Sequence, residues 1–345
     1  MKFLIPFTIC LFLSLFNINF SLAQENTPAL GRPISNSEIS TLIDSLNLAL
    51  NKYYVFPEKA SLMLDYINSQ HKNGAYNQIF DTGKLASQLH KDLQQIHKDP
   101  HLYIFYNPQT AADLERQNSS NNNNKQARER GLAQVRKNNF GFKKPIILKG
   151  NIGYVRFDEF LGFIQEAKPK MASTFKSLSN TIALIIDLRY NQGGSPEMVN
   201  QIESYFFKEK TRMNDIIDRW HNTTYELYAE PEKADGITLS MPLYILTSKQ
   251  TFSAAEDFCY AMQNIKRAKI VGETTAGGAH PAVPISLKQG FVIEIPFARS
   301  YNNITKTDWE GTGVIPDVPI NAKQAFTRAK SLANEELLKI EIEKK

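Results

Sequence analysis

The run Ile182-Ala183-Leu184-Ile185-Ile186 constrains this chain more than any other stretch. Successive side chains of a strand point to opposite faces, and here both faces are apolar, so a strand at this place belongs inside a sheet covered on both sides. Leu243 to Thr247 is a second buried strand of the same kind. Between and after these runs, apolar residues recur at helical spacing over Phe163 to Leu178, Met198 to Phe207 and Ala254 to Asn264. Strand and helix alternate at crossover spacing, which predicts an α/β layered domain. Shorter strands are expected at Ile146–Leu148 and Ile152–Phe157, a late one at Phe291–Pro296, and a charged amphipathic helix closes the chain over Ala322–Glu343.

Ahead of this domain the pattern changes. Ile39, Leu42, Ile43, Leu46 and Leu50, and later Leu85, Leu89, Leu93 and Ile96, recur at three and four, which reads as a small helical bundle. Ser35-Asn36-Ser37-Glu38 supplies a start signal, and Asn73-Gly74 and Thr82-Gly83 supply breaks. After His97-Lys98-Asp99-Pro100-His101, the residues Leu102, Ile104 and Tyr106 alternate like a strand. Asn118 to Asn124 is all asparagine and serine, and a basic, polar segment follows to Lys137, so residues 107–144 read as an Asn-rich linker with room for one exposed helix, and Asn118–Lys137 is expected to be mobile and dispensable for catalysis. The expected organisation is a leader at 1–23, a helical bundle at 24–106, the linker at 107–144, an α/β core at 145–330 and the end of the last helix at 331–345.

The leader assignment rests on one early charge, Lys2, an apolar run from Phe3 to Phe16, and the small-x-small triplet Ser21-Leu22-Ala23. That is the form of an export signal, and the run is too short for a membrane span, so the mature chain is expected to be periplasmic or secreted. Of 2 cysteines only Cys259 would remain after cleavage, which rules out an internal disulfide. The net charge of +5 is spread along the chain without arginine-aromatic interleaving, so nucleic acid is not an expected partner. Neither His-Glu-x-x-His nor a clustered His/Cys spacing is present, and no metal or other cofactor is expected.

Chemistry concentrates where the strand ending at Thr247 breaks toward a helix, with Ser253 at the break. A hydroxyl there projects from a rigid element beside free helix N–H groups that stabilise negative charge. Ser253-Ala254-Ala255-Glu256 is also S-x-x-E, a capping box that needs no chemistry to explain it. Asp187-Leu188-Arg189-Tyr190-Asn191-Gln192-Gly193-Gly194 follows the other buried strand, and its paired glycines let the backbone approach an oxyanion, or simply make a turn. A serine nucleophile needs a base. Of 6 histidines, His101 follows a rigid Asp-Pro turn and His280 follows a glycine-rich stretch; those two are the candidates.

Taken together, D-L-R-Y-N-Q-G-G, T-F-S-A-A-E, G-E-T-T-A-G-G and W-E-G-T-G-V-I-P-D-V resemble the ordered signature of the carboxyl-terminal processing (tail-specific) serine peptidases over about residues 145–323. The preceding helical segment resembles the amino-terminal domain of interphotoreceptor retinoid-binding protein modules. The resemblance implies a Clp protease/crotonase-like layered core. In the tail-specific branch a lysine serves as base, and Gly278 stands in its place here, so the resemblance points to the tricorn-like branch without a PDZ domain. It implies Ser253 as nucleophile, His101 as base and Glu310 as the group that orients the imidazole, with oxyanion donors at Ala254 and at Gly193 or Gly194. The implied activity is an exported serine endopeptidase or carboxyl-terminal processing peptidase acting on a peptide or unfolded protein. Activity should then switch on at about pH 6 to 7.5, and His280 should be dispensable for turnover. The competing function is a binding module of the same fold carrying an apolar ligand or peptide.

Overall fold

The computed structural model describes residues 31–119 and 123–343; the leader assigned to 1–23 lies outside the described residues. The chain runs α1 (Asn36–Tyr53), α2 (Pro57–Lys72), α3 (Thr82–Ile96), β1 (Tyr103–Tyr106), α4 (Pro108–Ser119), α5 (Asn123–Lys137), β2 (Ile146–Leu148), β3 (Ile152–Arg156), α6 (Ile164–Leu178), β4 (Ala183–Asp187) and α7 (Pro196–Glu203). There follow β5 (Thr211–Arg212), β6 (Asn214–Asp218), β7 (Thr223–Tyr225), β8 (Tyr228–Ala229), β9 (Leu243–Thr247), α8 (Ala254–Asn264), β10 (Lys269–Gly272), β11 (Ala282–Ser286), β12 (Phe291–Pro296), β13 (Ala298–Asn302), β14 (Val318–Pro319) and α9 (Ala322–Glu343). Among the described residues no helix is long and apolar enough to cross a membrane.

The two doubly apolar runs lie side by side in the middle of a six-stranded sheet ordered β14-β10-β9-β4-β3-β2. Its neighbours are parallel except β2, which runs antiparallel to β3 at the edge. All residues of β4 and β9 are buried, as strands covered on both faces must be. One face packs on Met171 and Phe175 of α6, Met198 and Ile202 of α7, and Phe258 and Met262 of α8. The other is covered by α9 through Ala325, Ala329 and Ala333, whose small side chains, one turn apart, let the helix approach the sheet closely. The layered α/β core is therefore the one the alternation of strand and helix predicts.

Among the described residues the amino-terminal region holds three helices, where its periodicity implies a small helical bundle. Ser35 caps α1 in a reciprocal box: its Oγ accepts from Glu38 N–H at 3.4 Å, and its own N–H donates to Glu38 at 2.9 Å. Thr82-Gly83, expected as a break, instead forms the first turn of α3, because Asp81 just before it accepts from Lys84 N–H at 2.9 Å and caps the helix.

Two further features depart from the sequence reading. The late strand β12 does not join the parallel sheet; it lies between β1 and β11 in an antiparallel sheet, with Tyr103 opposite Glu294 and Phe105 opposite Val292. Phe291, Ile293 and Ile295 alternate onto one face, where Leu42, Leu46 and Leu89 of the bundle bury them. The segment expected as a linker is largely helical. Its few apolar residues fall at helical spacing and find partners: Ala111 and Leu114 of α4 cover Val292 on the opposite face of the β12 sheet, and Val135 of α5 packs on Leu161 and Phe163.

The turn after β4 is held to residue 160 by backbone bonds: Phe160 N–H donates to Gly193 O at 2.8 Å, and Ser195 N–H to Phe160 O at 2.6 Å. Gly194 lies between them at φ 135°, and a Cβ there would stand 2.1 Å from the Phe160 carbonyl oxygen. Gly194→Ala is therefore expected to lower the unfolding free energy by about 3 kcal/mol in urea titrations, and an unchanged midpoint would refute this account of the turn.

Candidate active site

Beyond β9 the chain is tied to the turn after β4. Thr251 Oγ1 donates to Leu188 O at 2.9 Å and accepts from Ser248 N–H at 3.0 Å, while Phe252 N–H donates to Asn191 O at 3.1 Å. These bonds fix the backbone that presents Ser253. That residue adopts φ 54° and ψ −124°, a conformation that costs an L-residue about 1–3 kcal/mol and persists only where its surroundings impose it. Its Oγ lies 3.0 Å from His101 Nε2, although 152 positions separate the two residues. The glutamate half of the capping box forms as well, with Ser253 N–H donating to Glu256 Oε2 at 2.9 Å.

Glu256 does more than cap. It is fully buried and also accepts from Thr275 Oγ1 at 2.5 Å, Gly277 N–H at 2.6 Å and Gly278 N–H at 2.9 Å. Burial raises its pKa, and these donors oppose the rise by stabilising the carboxylate.

His101 follows the Asp99-Pro100 turn and immediately precedes the strand region. Asp99 organises it: Oδ1 accepts from His101 N–H at 3.1 Å, and Oδ2 accepts from Tyr54 Oη at 3.0 Å and from His280 Nδ1 at 2.9 Å. Desolvation lowers the His101 pKa to about 4 against the opposing charge of Asp99, so the imidazole is neutral near pH 7 and able to accept a proton. The expectation of a switch at about pH 6 to 7.5 assumed a carboxylate on the ring. None is bonded there: His101 Nδ1 is buried without a hydrogen-bond partner.

Glu310 accepts from Ala279 N–H at 2.6 Å through Oε2, and the same oxygen lies 3.6 Å from His280 Nδ1. Glu310 is not hydrogen-bonded to His101, the contact the resemblance implied, in this resting arrangement. The reason is local, since the backbone of the loop that carries His280 takes up the carboxylate. Burial pushes Glu310 up to about 7, with His280 opposing. His280, the alternative base, does not bond Ser253; it bridges the two carboxylates. Burial works against its charge, but Asp99 and Glu310 outweigh it and raise its pKa, while the same pairing overcomes burial to hold Asp99 below its usual value. Asp99, His280 and Glu310 present ligand atoms within 4.8 Å of one another, a spacing open to a cation. Asp99 already accepts three protein donors, so it is satisfied as the hydrogen-bonded partner of His280. Sequence reading missed Asp99 as an organising residue, although its place two before His101 in a rigid turn was a usable signal.

Of the expected oxyanion donors, Ala254 N–H opens α8, where helix geometry leaves it without an intrahelical acceptor. Gly193 packs directly behind the serine: a Cβ on it would stand 2.8 Å from Ser253 Cβ and 2.9 Å from Ala254 N. Its N–H, however, donates to Asn191 Oδ1 at 2.8 Å. The bridge to Phe160 uses Gly193 O and Ser195 N–H and leaves Gly194 N–H outside it.

Comparison with known proteins bears on the family and the fold. The profile of Peptidase family S41 matches residues 151–320, and that of the N-terminal domain of Peptidase_S41 in eukaryotic IRBP matches residues 35–135. The chain belongs to peptidase family S41. It is 31% identical over 170 residues to Carboxyl-terminal-processing peptidase 2, chloroplastic, of Arabidopsis thaliana, a match covering 49% of this chain and 32% of that protein. The chain spans less than half the length of the curated relatives it matches. A putative peptidase from Parabacteroides merdae shares the fold with TM-score 0.60 at 19% identity, covering 85% of this chain and 96% of that one. The tricorn protease does so with TM-score 0.57 at 15% identity, covering 87% of this chain and 37% of the other. These likenesses are those of the Clp/crotonase-like S41 fold.

Gly278 is the position to which the sequence resemblance would assign the lysine base of the tail-specific branch. A Cβ at 278 would lie 2.7 Å from His101 Cε1 and 2.2 Å from Phe252 Cε2, so a side chain there and this placement of His101 exclude each other.

Titration of the two histidine rings, followed by NMR, tests the electrostatics without reference to activity. The His101 signal is expected to titrate at about pH 4 and that of His280 above the ordinary value of about 6.5. Two rings titrating together near 6.5 would overturn the assignment.

Proposed function

We propose that this chain is an exported serine peptidase in which Ser253 is the nucleophile and His101 its base. The 3.0 Å contact between Ser253 Oγ and the Nε2 of a neutral imidazole carries this reading. His101 takes the hydroxyl proton as Oγ attacks the carbonyl carbon of a peptide bond, and later delivers it to the leaving amine; water then releases the acyl group by the reverse sequence. Charge on the carbonyl oxygen is met by Ala254 N–H at the positive end of α8 and by an N–H of the Gly193-Gly194 turn. Of those two, Gly194 is the better placed to donate, since Gly193 N–H is engaged by Asn191.

At rest Glu310 lies beside the His280–Asp99 pair. Its Oε1 and His101 Nδ1 are both buried and both without partners, complementary groups that a bond formed with substrate in place would satisfy. The substrate class is a peptide or unfolded protein, consistent with the C-terminal processing named for the relatives. The leader-like first 23 residues support export.

The experiment is fluorophosphonate labelling combined with peptide hydrolysis. Wild type should label at Ser253, and Ser253→Ala and His101→Ala should each lose about 10⁴-fold in kcat with unchanged circular dichroism. Glu310→Gln should lose about tenfold or more, since the amide keeps an acceptor for His101 Nδ1 but loses the charge that stabilises the imidazolium. His280→Ala should also lower kcat, contrary to the dispensability expected from sequence, because it strips two buried carboxylates of a shared partner. Absence of labelling and of turnover in wild type would favour the binding module instead.

A further inference from the structure

The His101 imidazole has no hydrogen bond at Nδ1, yet it is in register with Ser253. What confines it is a pair of walls that meet along one edge. Its face lies on Phe252, stacked at 4.5 Å between ring centroids with an interplanar angle of 25°. At the edge the two rings share lies Gly278, so close that a Cβ would reach 2.7 Å from His101 Cε1 and 2.2 Å from Phe252 Cε2. We propose that the face of Phe252 and the side-chain-free edge at Gly278 form a slot that aligns the imidazole with Ser253 Oγ, and that Phe252 is a positioning residue for the proton transfer. The inference deepens the peptidase reading and rests on it for its effect on turnover.

Three observations lead to this. Phe252 is the residue before the nucleophile, so one strained turn sets both the attacking hydroxyl and the wall behind its base. Its backbone is fixed from both sides, with N–H donating to Asn191 O at 3.1 Å and O accepting from Ala255 N–H at 3.1 Å. Gly278 is fixed in turn by its N–H bond to Glu256 and by Trp309 Nε1 donating to its carbonyl oxygen at 2.8 Å. Both walls are therefore rigid where a carboxylate partner is absent. An aromatic wall also excludes water from the ring, which keeps the base uncharged; the titratable groups around the site are Ser253, Asp99 in the turn before His101, His280 on the glycine-rich loop, and Glu310 beside His280.

The test compares Phe252→Leu, Phe252→Tyr and Gly278→Ala with wild type in the full chain. Phe252→Leu is expected to lower kcat by about tenfold or more while KM changes less than about twofold, since alignment of the base matters in the transition state. Its His101 NMR titration should move upward as water reaches the ring. Phe252→Tyr keeps the wall and should restore both readouts. Gly278→Ala, at ordinary φ, should lower kcat by displacing the imidazole, and it serves if Phe252→Leu does not fold by circular dichroism. Wild-type kcat and an unmoved His101 titration in a folded Phe252→Leu, or a loss that Phe252→Tyr fails to restore, would overturn the slot. Fluorophosphonate labelling separates the two failures: a wild type that neither labels nor cleaves refutes the peptidase reading, while the NMR titration still decides the slot.

Discussion

The arrangement depends on one buried carboxylate. Glu256 collects the Ser253 N–H, the Thr275 hydroxyl and the N–H groups of Gly277 and Gly278, so the start of α8 and the glycine-rich loop are bound to a single pair of oxygens. A buried carboxylate without donors would be too costly to keep, several kcal/mol even after relaxation, so these four donors must stay assembled around it. The consequence reaches past the residues it touches. Gly278 borders the His101 ring, and the next residues carry Ala279, which binds Glu310, and His280, which binds Asp99. Ser253, His101 and the Asp99–His280–Glu310 group are thus referred to one anchor.

Around that anchor the two histidines are held by opposite means. His280 is embedded between carboxylates that favour its charged form; His101 is flanked by an aromatic ring and a glycine backbone that favour its neutral form. A buried ion pair contributes little net stability, because desolvation offsets the attraction. Its value here is geometric: Asp99 joins the His101 backbone, Tyr54 of the amino-terminal region and His280 of the core in one contact. The shared β1-β12-β11 sheet makes the same connection on a larger scale. His101 comes from one family segment and Ser253 from the other, so the site exists only where the two are assembled.

How much of this was legible followed from range. The central strands β4 and β9 and the helices α8 and α9 were readable because local periodicity and burial on both faces determine them. The destination of β12 was not, since its alternation says that one face is buried but not against what. The helices at 108–137 were underestimated because their apolar residues are sparse and gain their value only from neighbours distant in sequence. Ser253 and His101 were reached through motifs, and only the fold could show them 3.0 Å apart. Asp99, His280 and Phe252 fell outside those roles because each acts through another side chain.

The two readings of Ser253-Ala254-Ala255-Glu256 are compatible in this structure. At the start of α1, Ser35 has φ −90° and ψ 160°, the extended conformation of an ordinary N-cap, and its Oγ turns to the Glu38 N–H. Ser253 stands in the same sequence pattern, and its glutamate binds the cap N–H at the same 2.9 Å. What differs is the backbone: φ 54° and ψ −124° carry the hydroxyl to His101. Gly193 makes this possible by lying against Ser253 and Ala254 with no side chain between, and the bonds from Thr251 and Phe252 to the β4 turn hold the strained residue in place. The glutamate keeps the helix capped, and the serine hydroxyl is left available for chemistry.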